Sequence, residues 1–146
     1  MKTARQVLES KANQAIFSIP PTATVYAALQ LMAEKGIGAL LVMEQQKIVG
    51  IISERDYARK VILMQRTSRE TLVREIMTSA VIYVRADQTT DECMALMTRH
   101  RLRHLPVMNS DQLLGMISIG DLVNDIISEQ RFTIEQLEHY IHGGSR

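Results

Sequence analysis

Two kinds of apolar spacing alternate along the chain, and they do so twice. The run Ile16-Phe17-Ser18-Ile19 is too short for a helix and predicts a strand. Val25, Ala28, Leu29 and Met32 follow at i, i+3, i+4 and i+7, which is one face of a helix. Two apolar runs, 39–43 and 48–52, flank the polar stretch 44–47 and predict a hairpin with a loop of about four residues. A second helix is expected over 54–64. The same order returns with the strand run Val81-Ile82-Tyr83-Val84, an amphipathic stretch, a hairpin over 105–117 and a helix over 119–129. A last amphipathic stretch, 132–141, places Ile134, Leu137 and Ile141 on one face.

Shifting the sequence by 65 positions makes the repetition explicit. Residues 17–57 then align with 82–122 without a gap, and ten of the 41 pairs are identical. Those pairs are Thr24/Thr89, Leu31/Leu96, Met32/Met97, Leu40/Leu105, Val42/Val107, Met43/Met108, Gly50/Gly115, Ile52/Ile117, Ser53/Ser118 and Asp56/Asp121. The expected fold is therefore α/β, two β-α-β-β-α repeats packed as a pair with a short C-terminal helix. The expected boundaries are 7–64, a linker at 65–74, 75–130, and a helical tail at 131–146. Thr24 and Thr89 stand where helix caps belong.

Composition narrows the classes. The length of 146 residues is that of one ordinary domain. Seventeen Lys and Arg against 16 Asp and Glu leave a net charge of +1, without the basic excess of a polyanion binder. Aromatics are 4% with no Trp, so the core must be aliphatic, with nine Met filling gaps. The single cysteine, Cys93, excludes an intrachain disulfide and points to a reducing, cytoplasmic setting. It is expected to be a half-buried apolar residue. No apolar run approaches the roughly 20 residues of a membrane helix.

Candidate chemistry concentrates in Gly50-Ile51-Ile52-Ser53-Glu54-Arg55-Asp56 and Gly115-Met116-Ile117-Ser118-Ile119-Gly120-Asp121. Each straddles a strand–helix junction. Ser-x-x-Asp there reads in two ways. It resembles a capping box with Asp in place of Glu. It also suits a ligand, because a helix start offers N–H groups to phosphate and an Asp can accept two bonds from ribose hydroxyls. His100 and His104 are four apart, with Cys93 seven before. The chain must leave the helix between the two histidines, so metal binding is not expected. No nucleophile elbow or other catalytic constellation is present.

These two motifs, the stretch Arg103-His104-Leu105-Pro106-Val107 and the 65-residue repeat resemble the CBS domain. The chain as a whole is similar to stand-alone bacterial and organellar CBS pairs, or Bateman modules. The stretch Ser53–Lys60 and the tail from Phe132 match their pattern. The resemblance implies a regulatory module without catalysis that holds AMP, ADP, ATP, NAD(H) or S-adenosylmethionine in up to two clefts. It implies one site from Ser53, Arg55 and Asp56 facing Val81, Ile82, Arg103, His104 and Pro106. It implies another from Ser118, Gly120 and Asp121 facing Ile16, Phe17, Ile37, Gly38, Ala39 and Leu41. The second has Gly120 where the first has Arg55, which weakens phosphate binding there. A homodimer is expected, through apolar residues Val61, Ile62, Met64, Leu122, Val123, Ile126 and Ile127. The competing reading is an interaction module with empty clefts. No nucleic acid, membrane or metal partner is expected.

Overall fold

A computed structural model describes residues 2–11 and 15–143. The chain is α/β, with the two β-α-β-β-α repeats legible in its element order. Helix α1 (Ala4–Ser10) comes first. The first repeat then runs β1 (Ser18–Ile19), α2 (Val25–Lys35), β2 (Ala39–Glu44), β3 (Lys47–Ser53) and α3 (Glu54–Tyr57). A π-helical turn, Ala58–Ile62, continues α3, and the short helix α4 (Val73–Ile76) follows. The second repeat runs β4 (Val84–Arg85), α5 (Thr90–His100), β5 (His104–Asn109), β6 (Gln112–Ser118) and α6 (Ile119–Gly143).

Each repeat forms a three-stranded sheet with its middle strand paired parallel on one side and antiparallel on the other. The leading strand pairs over two residues only: Ser18–Ile19 lies within the apolar run 16–19, whereas Val84–Arg85 starts at the last residue of the run 81–84, so Val81 and Ile82, expected on that strand, precede it. The hairpin turns are tighter than expected. Gln45 and Gln46 alone join β2 to β3, both at positive φ, as a right-twisted two-residue turn demands. Both hairpins shift register at equal places, between Val42 and Met43 and between Val107 and Met108.

Thr24 and Thr89 cap α2 and α5 as expected, accepting from Ala27 N–H and Glu92 N–H. Gly36 ends α2 in the left-handed conformation, and Arg101 ends α5 in the same one. The interior of the first repeat gathers Ile19, Val25, Ala28, Met32, Leu40, Val42, Ile52, Val61, Val73 and Ile76. It is aliphatic, as composition required.

Contacts divide the chain into two units at places the ungapped repeat did not mark. One unit is Ile16–Ile82. The other joins the N-terminal segment to everything from Tyr83 onward. Helix α1 therefore packs with the second repeat. Ala4, Val7 and Leu8 are buried, and Ala4 and Arg5 N–H donate to Gln88 and Ala86 carbonyls. In the first unit α4 takes the equivalent place. Val73 and Ile76 are buried, and Val73 and Arg74 N–H donate to Ala23 and Pro21 carbonyls. The stretch read as a linker, 65–74, thus contributes buried Thr71 and Val73 to the first unit.

Three expectations are corrected. The helix expected to end near 129 and the separate tail helix are one continuous α6, because no Gly or Pro interrupts the chain between Gly120 and Gly143. The helix expected over 54–64 is α-helical only to Tyr57. Val61 and Leu122 are fully buried in the chain, so neither is surface that a second copy could meet. Of the expected tail, 144–146 lies outside the described residues.

Candidate functional site

Both Ser-x-x-Asp motifs close as reciprocal boxes at the strand–helix junction. In the first repeat, Ser53 N–H and Ser53 Oγ donate to Asp56 Oδ2 at 3.0 and 3.1 Å. Asp56 N–H donates back to Ser53 Oγ at 3.1 Å. In the second, Ser118 N–H donates to Asp121 Oδ2 at 2.8 Å, and Asp121 N–H to Ser118 Oγ at 3.1 Å. The capping reading is therefore realised at both places. The first helical amide is also engaged in each: Glu54 N–H donates to Gly38 O and Ile119 N–H to Arg103 O. These amides are satisfied internally rather than offered to an anion.

Each motif carboxylate also holds a lysine that sequence reasoning missed. Lys60 Nζ lies 3.1 Å from Asp56 Oδ1 and donates to Ile76 O at 2.9 Å. Lys11 Nζ lies 3.0 Å from Asp121 Oδ2 and donates to Met116 O at 2.8 Å. The first pair was legible, since Lys60 follows Asp56 by four residues along the helix. The second was not, because Lys11 arrives from the far end of the chain. Nearby, the almost fully buried Asp125 has Lys2 Nζ 2.7 Å from Oδ1. Asp125 stands where the first repeat has Lys60, 65 positions earlier.

The residues expected to face a base fall as follows. In the first unit, Ile16 is exposed, Phe17, Ile37, Gly38, Val81 and Ile82 are half-buried, and Ala39 and Leu41 are buried. Lys35 Nζ covers the Phe17 ring at 5.4 Å from its centroid. Ile37, Gly38 and Glu54 share a shallow depression of ≈ 300 Å³ with α2. In the second unit, Arg103 and Gly120 are exposed, His104 is half-buried and Pro106 is buried. His104 lies opposite Ser118 in the hairpin. Within that unit the structure thus brings His104 beside its own repeat's Ser118 and Asp121.

Electrostatics separates the basic groups. Burial pushes the His104 pKa below the ordinary histidine value, Asp121 opposes that shift, and Lys11 and Arg103 add to it. Burial therefore favours the neutral form of His104 and works against its supplying charge to a phosphate. Burial, reinforced by Glu92, pushes the Cys93 thiol up to about 11. Cys93 is fully rather than half buried. Among the described residues no group of three His, Cys, Asp or Glu side chains is arranged to hold a metal. Among them, too, no helix is long and apolar enough to cross a membrane.

Comparison with known proteins places this geometry. The CBS domain model matches residues 5–63 and 73–128. The chain is 43% identical over 126 residues to the mitochondrial CBS domain-containing protein CBSX3 of Arabidopsis thaliana, covering 83% of this chain and 61% of that one. It spans 22% of two other Arabidopsis CBS-domain proteins that it matches. Among solved structures, a protein with CBS domains from Burkholderia ambifaria is 54% identical, with a TM-score of 0.86 over 88% of this chain and 96% of that one. The CBS domain pair of protein MJ0100, in complex with 5′-methylthioadenosine and S-adenosyl-L-methionine, shares the fold at 19% identity and a TM-score of 0.77, covering 88% of this chain and 98% of that one.

Proposed function

The chain belongs to the CBS domain family and carries two copies of that domain, and on that premise we propose that it is a non-catalytic, regulatory sensor of adenine nucleotides. The observation that carries this reading is the pair of Ser–Asp boxes at equivalent positions. A carboxylate offers about four acceptor positions, of which the box and the lysine take three at Asp56 and two at Asp121, so one ribose hydroxyl can join Asp56 and two can join Asp121 without breaking either box. The complex of a related CBS pair with two adenosine compounds supports that ligand class. AMP, ADP, ATP and NAD(H) share the adenosine moiety and are the candidates.

The site residues proposed are those expected from the resemblance, in two groups distinguished by charge. Ser53, Arg55 and Asp56 work with Val81, Ile82, Arg103, His104 and Pro106. Ser118, Gly120 and Asp121 work with Ile16, Phe17, Ile37, Gly38, Ala39 and Leu41. Arginines 55 and 103 supply the charge for phosphate in the first group, and His104 contributes a hydrogen bond. Charged hydrogen bonds contribute about 1.5–3 kcal/mol each, so AMP should exceed adenosine there by tenfold or more. Regulation follows if the ligand binds two arrangements of the protein unequally. We place the protein in a reducing compartment such as the cytoplasm and expect two copies to associate. The competing reading, an interaction module with empty clefts, draws on the observation that both motif carboxylates already hold Ser and Lys partners.

Mass spectrometry of small molecules released on denaturation decides between them, with an adenine nucleotide expected. Calorimetry on Asp121→Ala then isolates the first group. Adding Arg103→Ala should remove most of the preference for AMP and spare adenosine. Equal binding of AMP and adenosine by Asp121→Ala would overturn the phosphate role.

A further inference from the structure

The second half of α6 carries a pattern that the nucleotide reading does not use. Val123, Ile127, Gln130, Ile134, Leu137 and Ile141 are spaced 4, 3, 4, 3 and 4 apart. That is the heptad spacing of a coiled-coil seam, with Ile at every second place. The seam is uncovered. Ile134, Leu137 and Ile141 are 54%, 57% and 68% exposed, and every residue from Gln130 to Ile141 is exposed. The earlier part of the helix behaves differently, since Leu122 and Asp125 are buried.

We propose that residues 130–141 of α6 pair antiparallel with the same segment of a second copy. The centre of the pairing lies between Glu135 and Gln136. Ile134 then meets Leu137 of the second copy, and the two-fold axis repeats that contact. Gln130 meets Ile141 at each end, where water reaches its amide. In an antiparallel coil the positions flanking the seam on one side face each other. Here those positions hold Arg131 and Glu138, so each pairing forms two opposite-charge contacts. This self-complementarity is what a two-fold interface requires.

The charges argue against other arrangements. A parallel, in-register pair sets Arg131 beside Ile126 and Glu138 beside Thr133, with no charge pair at either place. A membrane surface is disfavoured, because helices that lie on membranes carry Lys and Arg on their polar face. This segment has one Arg beside Glu135 and Glu138, with Glu129 just before it.

Light scattering and sedimentation on the full chain test the pairing. Leu137→Asp should halve the mass of the assembly, while His139→Asp, on the outer face, should leave it unchanged. Arg131→Glu or Glu138→Arg alone should raise the dissociation constant about tenfold, since each sets like charges together twice. The double variant Arg131→Glu/Glu138→Arg should return to near the wild-type value. An unchanged mass in Leu137→Asp, or a double variant no tighter than the singles, overturns the proposal. The circular dichroism of each variant should keep its helical signal. AMP binding, measured on the same samples, reads the nucleotide proposal separately, since α6 beyond Gln130 holds none of its residues.

Discussion

At the scale of single residues, burial decides which groups keep their chemistry. Cys93 has no exposed surface, and its pKa is pushed up to about 11. The thiolate is the reactive species, so at pH 8 the folded protein should show essentially no reaction with a disulfide reagent. One thiol should appear on denaturation, and rapid labelling of the native protein would contradict this assignment. His104 responds to acid. Its folded pKa lies below the ordinary value near 6.5, so the unfolded chain binds the proton more tightly there. The corresponding stability is fully present above pH 6.5 and is lost as pH falls through the folded pKa. His104→Asn should therefore flatten the acid side of the stability–pH curve below pH 6.5, measured by urea unfolding. A midpoint for the His104 ring above that of a free histidine in an NMR titration would sink the argument.

At the scale of elements, the legible parts were those with local causes. The helical face of Val25, Ala28 and Met32, the Thr caps and the apolar hairpins follow from spacing and hydrogen-bonding needs inside a few residues. The Ser–Asp boxes were legible as one of two readings for the same reason. The continuity of α6 was not, because its apolar seam looked like a separate helix once Glu129–Arg131 broke the apolar run. Glycines show the same divide. Gly36 ends α2 at φ +66, with nothing within 4 Å of where a Cβ would sit. Gly36→Ala should cost about 1 kcal/mol from conformation alone. Gly50 has ordinary backbone but no room. A Cβ there would lie 2.6 Å from Met77 Sδ and 3.1 Å from the Thr78 carbonyl. That carbonyl cannot withdraw freely, because Ile51 and Thr78 exchange two backbone hydrogen bonds. Gly50→Ala should cost about 1–3 kcal/mol by overpacking. Chemical denaturation of both variants checks the pair, and in a Met77→Ala background the cost of Gly50→Ala should shrink without vanishing, because the Thr78 carbonyl stays in place.

At the scale of the whole chain, the repeat is offset in two ways. Sheets and motifs repeat at 65 positions, but the leading helices repeat at 69, with Ala4, Val7 and Leu8 matching Val73, Ile76 and Met77. An ungapped comparison hides that second offset, and allowing a four-residue gap would have revealed it. The consequence is that each leading helix packs on one sheet in an equivalent way. Leu8 lies 3.0 Å from where a Cβ on Gly115 would sit, as Met77 lies against Gly50. The second repeat therefore depends on residues more than 70 positions upstream. Removing residues 2–11 would expose the sites of Val7 and Leu8, an apolar loss of about 3–6 kcal/mol. It would also leave the buried Asp125 carboxylate without Lys2, a cost moderated by the partial exposure of that lysine. Those losses rival the roughly 5–15 kcal/mol by which a domain is stable. Hydrogen exchange on the truncated chain should show α5, β5 and β6 losing protection, while residues 16–82 keep theirs. Supplying Lys2→Ala in the full chain separates the terms, since it removes the charge partner and leaves Val7 and Leu8 in place. If the truncated chain keeps the protection of β5 and β6, the N-terminal helix is not part of that unit's core.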